Sequence, residues 1–157
     1  MIGWPLDLNI IRRQSLSNTF GMVRKRSDGS PKAHQGFDLF AEIGTQCYAI
    51  ADGSVALIYV SEDYGNVLVT RFTHEGKTLY AAYAHMGKIT VKQGQALKRG
   101  DPVGLTGESG NAQGMRGPDQ HLHFEIRTEQ RPGVGLSGRI SPMKVFGICP
   151  LKEAVKR

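Results

Sequence analysis

Short apolar runs broken at close intervals by glycine turns set the strongest limit on what this chain can fold into. "QCYAIA" (46–51), "SVALIYV" (54–60), "NVLVTRF" (66–72), "KTLYAAYAHM" (77–86), "DPVGLT" (101–106) and "HLHFEIR" (121–127) have strand length and strand composition. Asp52-Gly53, Tyr64-Gly65-Asn66, Glu75-Gly76, Arg99-Gly100 and the Gly-rich stretch 104–117 separate them. Runs joined by turns this tight leave no room for crossover helices, so they predict an all-β, antiparallel domain. The 20 glycines in 157 residues follow neither a collagen period nor a linker pattern, which assigns them to turns. Helical periodicity is weak; only the tail "LKEAVKR" and residues 8–16 are expected to make a short helical turn.

At this length the chain reads as one domain, able to bury a real core. The balance is basic, with 20 Lys and Arg against 14 Asp and Glu and a formal net charge of +6. Such a charge favours anionic partners: nucleic acid, a membrane surface or an acidic wall polymer. The cations are scattered, apart from "RKR" at 24–26 and "VKR" at the end. No basic helix, RNP-type aromatic motif or zinc finger accompanies them, so nucleic acid is not selected. Cys47 and Cys149 lie far apart and outside any metal-type spacing, and sequence does not decide whether they pair. No run approaches ~18 apolar residues, and no membrane insertion is expected. The start, "MIGWPLDLNIIRRQ", lacks the charged and apolar regions of a usual signal peptide, so a product made in the cytoplasm is expected.

The chemistry concentrates in the histidines. In "HLHFEI", Leu122, Phe124 and Ile126 alternate with His121, His123 and Glu125, so one strand face is apolar and the other ionisable. Same-face neighbours on a strand sit ~6.5–7 Å apart. "HQGFD" sets His34 and Asp38 four apart, yet Gly36 and Pro31 argue against a helix. Fully extended, their α-carbons would lie ~13 Å apart, so the pair needs Gly36 to bend the chain. His34, Asp38 and one histidine of the pair at 121 and 123 make an N2O donor set with a fourth position open, the form of catalytic zinc. The other histidine can then serve as general base. Spacing does not say which is which. His85 ends a strand that keeps Tyr83 on its own face and can supply a further imidazole. Glu125 can orient a ligand ring or make a surface salt bridge. His74 sits at a hairpin turn and is left out of the site.

These residues carry a resemblance. "HQGFDLFAEIGTQCYAIADGSV", "YGNVLVTRFTHEGKTLYAAYAHM", "VKQGQALKRGDPVGLTGESGN" and "HLHFEI" stand in the order and spacing of M23 (lysostaphin/LytM-type) metallopeptidases. That pattern runs HxxxD, an ADG turn, a YG strand, YAHL, a glycine-spaced run and HLHFE. The chain resembles it over residues 34–127, and "ISPMKVFG" (140–147) is similar to the family's closing segment. The resemblance implies a LytM-type antiparallel β-sheet groove walled by long loops, here 107–120 and 128–141. It implies one Zn²⁺ held by His34, Asp38 and His123, with His121 and His85 as catalytic histidines. It also implies cleavage of peptidoglycan peptide stems. Domain limits follow: a single domain of 1–157, with an extension 1–33, a core 34–147 and a tail 148–157. The loop before HLHFE departs from the pattern, reading "GNAQGMRGPDQ" where many relatives have a short STGP. Since loop walls set which crosslink fits, the bond cut is not implied.

The expected reaction is metal-assisted amide hydrolysis, with His121 as base and a donor His85 facing the tetrahedral oxygen. A degenerate LytM-type binding module is the alternative, but such a module lacks ligands that are all present here. A biotinyl-type carrier, suggested by "VKQGQALKRGDPVG", would need a lysine in a DK or MK setting that the chain lacks. Action at the cell wall without a usual signal suggests delivery as a phage lysin or antibacterial effector. An acidic immunity protein is then the expected partner.

Overall fold

The computed structural model describes residues 1–157. In chain order the strands are β1 (Leu8–Asn9), β2 (Gly21–Lys25), β3 (Pro31–His34), β4 (Phe37–Phe40), β5 (Gln46–Tyr48), β6 (Gly53–Ser61) and β7 (Gly65–His74). They continue as β8 (Lys77–Ile89), β9 (Ala96–Leu97), β10 (Pro102–Thr106), β11 (His121–Arg127), β12 (Arg139–Ile140) and β13 (Val155–Lys156). Every pairing is antiparallel. The all-β expectation holds, and each of the six predicted runs contains a strand.

The main sheet follows the order β12-β11-β8-β7-β6-β9. β8 also pairs β10, and β11 also pairs β4. Glu75 (φ 49) and Gly76 (φ 76) turn β7 into β8 with both central residues left-handed, the form that matches strand twist. His74 stands at that turn, outside the cleft.

Alternation on β11 decides which side does what. Leu122, Phe124 and Ile126 are fully buried in the main core with Tyr83, Phe37 and Leu39. His121, His123, Glu125 and Arg127 occupy the opposite face, over a small cluster of Val67, Val69, Ala82 and Ala84. The rigid apolar backing that a site needs is therefore the core itself.

The ends of the chain join this frame. β1 pairs β13, and the Asn9 amide donates to the Leu6 carbonyl at 2.7 Å and the Val155 carbonyl at 3.1 Å. Within the tail Val155–Lys156 thus form a strand, and the helical turn expected there does not form. Seven residues are too few to nucleate a helix alone, whereas pairing with β1 satisfies the backbone of these two. In 8–16 only Arg12–Gln14 makes a complete 3₁₀ turn. One α-helix, α1 (Met143–Phe146), ends at Gly147 (φ 75) and brings Phe146 to stack on Trp4 at 3.9 Å. Both cysteines are free; burial pushes the Cys47 thiol up to about 12. No helix is long and apolar enough to cross a membrane.

Candidate metal centre

Strand register brings the first two donors together. On the antiparallel pair β11–β4, His123 lies directly opposite Asp38. Such partners share a sheet face with Cβ atoms ~4.5–5.5 Å apart. His123 Nδ1 is 2.8 Å from Asp38 Oδ1. His34 arrives from the end of β3, and its Nε2 lies 3.1 Å from the same oxygen. One donor atom from each of these three buried residues falls within 4.8 Å of the other two, close enough to share one ion.

Gly36 makes this approach possible, and the chain bends there as expected. Its φ lies outside the left-handed region, but a Cβ there would sit 2.2 Å from the Phe124 carbonyl oxygen and 2.9 Å from Glu125 Cγ. Only a residue without a side chain lets the β3–β4 link lie against β11. Gly36→Ala is expected to push His34 and Asp38 away from His123, costing about 1–3 kcal/mol. Thermal melts and zinc titration of the variant check this; unchanged values would show that the link can shift freely.

Backbone carbonyls set the tautomers. Nδ1 of His34 lies 2.8 Å from Thr19 O, that of His121 2.8 Å from Asp119 O, and that of His85 2.8 Å from Ser109 O. A carbonyl only accepts, so each ring carries its proton on Nδ1 and turns Nε2 inward. His123 is the reverse: Nδ1 faces Asp38, while Nε2 donates to Glu125 Oε1 at 3.0 Å. Each donor ring is thus oriented from behind, as metal-ligating histidines are. Two imidazole nitrogens and one carboxylate oxygen suit zinc.

Asp38 is shaped by residues for which the sequence carried no signal. Its second oxygen, Oδ2, accepts from Arg12 Nη2 at 3.1 Å and Arg24 Nη2 at 2.9 Å. That leaves Oδ1 alone to face the histidines. Burial works against the charge on Asp38, but the His123 and His34 rings against Oδ1 hold its carboxyl well below the usual range. Burial also works against a proton on His123, yet Asp38 and Glu125 on either side raise it to about 9. In the metal-free protein His123 is a cation between two carboxylates, the position a metal ion would take over.

Glu125 is fully buried, which excludes the surface salt bridge. Besides His123 it meets Arg127 Nε at 2.6 Å and Arg139 Nε at 3.0 Å, and the Tyr64 hydroxyl donates to it. Burial alone would favour its neutral form; His123, Arg127 and Arg139 keep it ionised instead. Arg139 also donates to the Gly133 and Gly135 carbonyls, so the loop after β11 is tied to the same cluster.

His85 reaches the cleft by breaking a rule. Strict alternation would send it into the core with Tyr83, which is fully buried there. His85 is instead left-handed at φ 58, beside a register shift between β7 and β8, and its ring turns to the opposite face. A non-glycine residue in this conformation stores strain, usually at a functional position. The Tyr64 carbonyl accepts the His85 N–H at 2.8 Å, and Ser109 holds its ring. Burial, then the neighbouring His123 and His121, lower His85 to about 4. The neutral ring offers a lone pair at Nε2, so the donor role expected of His85 would need a second proton.

All five histidine and aspartate positions singled out from the sequence therefore border one cleft of about 440 Å³. His85 and His121 stack edge to face at 5.2 Å, beside the three-donor group. The Peptidase family M23 model matches residues 32–133. The chain belongs to peptidase family M23. This M23 chain is 35% identical over 120 residues to peptidoglycan DD-endopeptidase ShyB of Vibrio cholerae, covering 76% of itself and 26% of that relative. It spans about a quarter or less of the curated relatives ShyB and ShyA. Among solved structures, the M23 fold here is similar to a zinc-containing peptidase from Vibrio cholerae at 29% identity and TM-score 0.62, covering 80% of this chain and 37% of that one. It is also similar to the catalytic domain of lysostaphin from Staphylococcus simulans, at 26% identity and TM-score 0.63, covering 83% and 90%.

Proposed function

We propose that this chain is a zinc-dependent endopeptidase that hydrolyses peptide crosslinks of peptidoglycan. The observation that carries the reading is the convergence of three donor atoms beside two imidazoles whose free Nε2 atoms share their cleft. Relatives named as peptidoglycan DD-endopeptidases support the substrate class. His34, Asp38 and His123 hold the ion. When bound, zinc supplies Lewis acidity that polarises the scissile carbonyl and lowers the pKa of water.

The chain's own groups do the rest. His121, fixed through Asp119 O, accepts a proton from the attacking water at Nε2 and later passes it to the leaving amine. His85 Nε2 accepts a hydrogen bond from the water's other O–H, which stays intact, and this aims the oxygen at the carbonyl. Glu125 keeps a proton on His123 Nε2, which leaves the Nδ1 lone pair for the ion. Arg12 and Arg24 restrict Asp38 to one oxygen.

Digestion of purified sacculi, followed by mass analysis of the fragments, tests the reading. Crosslinked muropeptides are expected to fall to monomers, chelation to stop this, and zinc to restore it. Unchanged cleavage after metal removal, or no new peptide ends, would overturn it. Its action lies at the cell wall, where the substrate is. Delivery as a phage lysin or antibacterial effector, checked by an acidic immunity protein, extends the proposal. The +6 charge supports such a partner. Lysis of target cells that no acidic binding protein relieves would count against it.

A further inference from the structure

We propose that the β2–β3 hairpin beside the metal-ligand group is a carboxylate-binding subsite. The crosslink cut then carries a free carboxylate within about two residues of the scissile bond. The proposal rests on the endopeptidase reading above and narrows its substrate.

Two of the three residues of the "RKR" run at 24–26 line the cleft, and only Arg24 has a role at Asp38. Arg24 and Arg26 stand there with Lys32 from the facing strand. Arg24 and Lys32 are direct cross-strand partners. Like charges placed opposite one another destabilise a hairpin, so a gain elsewhere must justify the pair. Arg24 is already committed to Asp38, to Asn18 at 3.0 Å and to the Ser17 carbonyl at 2.7 Å. Arg26 and Lys32 are not. Arg26 meets only uncharged groups, Ser30 Oγ at 3.5 Å and the Pro31 carbonyl. Lys32 is exposed and has no carboxylate within 4.0 Å.

The hairpin's one acid does not offset them. Asp28 accepts from the backbone N–H and hydroxyl of Ser30, at 2.9 Å and 2.6 Å, and closes the turn. Asp28 does not line the cleft, and the exposed acid that does, Asp63, belongs to the β6–β7 turn. Two of the three cations on this wall of the cleft, Arg26 and Lys32, are thus unpaired.

Position links this wall to the chemistry. Lys32 and His34 are two apart on β3 and share its face, so they stand ~6.5–7 Å apart along the strand. That is the span of about two extended residues. A peptide carrying a carboxylate at that distance from the reacting carbonyl would place it against Lys32 and Arg26. A bridge of glycines has no side-chain carboxylate to offer them, and neither cation would find a partner.

The test uses two crosslinked peptide dimers, identical except that the carboxylates nearest the scissile bond are free in one and amidated in the other. The zinc-loaded wild-type chain is expected to favour the free form by about tenfold in kcat/KM, mainly through KM. In the Arg26→Gln/Lys32→Gln variant that ratio is expected to fall to about one. Both side chains are exposed, so the variant keeps its fold. Added salt is expected to shrink the wild-type ratio, since exposed charges are screened. Calorimetry on the metal-free protein, which cannot turn over, is expected to give the same preference in Kd. Equal Kd values for the two dimers, or a preference that survives in the double variant, would overturn the subsite. Failure of the zinc-loaded chain to cut either dimer would overturn the endopeptidase reading instead.

Discussion

Replacing His121 by alanine is expected to leave zinc bound and lower turnover by roughly a hundred- to ten-thousand-fold, the usual contribution of a general base. His123→Ala, two residues along the same strand face, is expected to lose both zinc and turnover. The contrast follows from which nitrogen each ring presents. His121 Nε2 is 3.8 Å from Asp38 Oδ1 and is held from behind by the Asp119 carbonyl. His123 Nδ1 is 2.8 Å from that oxygen and lies inside the donor group. Metal content by mass spectrometry, set beside rates on crosslinked muropeptides, separates the two effects. A fully active His121→Ala protein would remove the base from the mechanism. Loss of zinc from that variant would move His121 into the ligand set.

The second large effect is expected at Glu125, which touches neither substrate nor ion. Glu125→Gln removes the charge that balances two buried guanidiniums. Arg127 is fully buried, and the Arg139 side chain is only 3% exposed. Breaking a buried ion cluster by removing one partner costs about 3–5 kcal/mol, because the remaining charges cannot regain their hydration. Behind a metal-ligating histidine, loss of the orienting carboxylate also weakens metal affinity by about 10- to 100-fold. Urea melts of the metal-free variant read the first effect and competitive zinc titration reads the second. A variant as stable as its parent, with unchanged zinc affinity, would show that Arg127 and Arg139 are balanced by other groups. Wild-type affinity in a destabilised protein would detach Glu125 from the metal site and leave it a structural residue.

The chain's local order was legible because strand periodicity is a property of neighbours. Leu122, Phe124 and Ile126 read as core and His121 and His123 as the opposite face from period two alone, and the sheet follows that division. The glycine turns between runs 54–60, 66–72 and 77–86 likewise lie between β6, β7 and β8. Where a residue's role depended on distant chain, reading the sequence stopped short. Glu125 read equally as a ring-orienting carboxylate or a surface salt bridge, and only Arg139 and the loop after β11, which bury it, decide between them. Gly36 read as a bend, which it is, but its second constraint, the Phe124 carbonyl, lies 88 positions on. Arg12 and Arg24 sit in a stretch with no motif, and nothing local says that both would grip Asp38.

By itself, then, the sequence determined an antiparallel β fold and the candidate side chains for a metal site, since alternation and turn chemistry act over a few residues. The tertiary structure alone decided how that set works. It chose Oδ1 over Oδ2 on Asp38 and turned Nε2 of His34, His85 and His121 inward. It also swung His85 out of the core through one left-handed residue. Those choices depend on carbonyls, guanidiniums and burial supplied from far along the chain, and hydrogen bonds across such separations exist only once the sheet has closed.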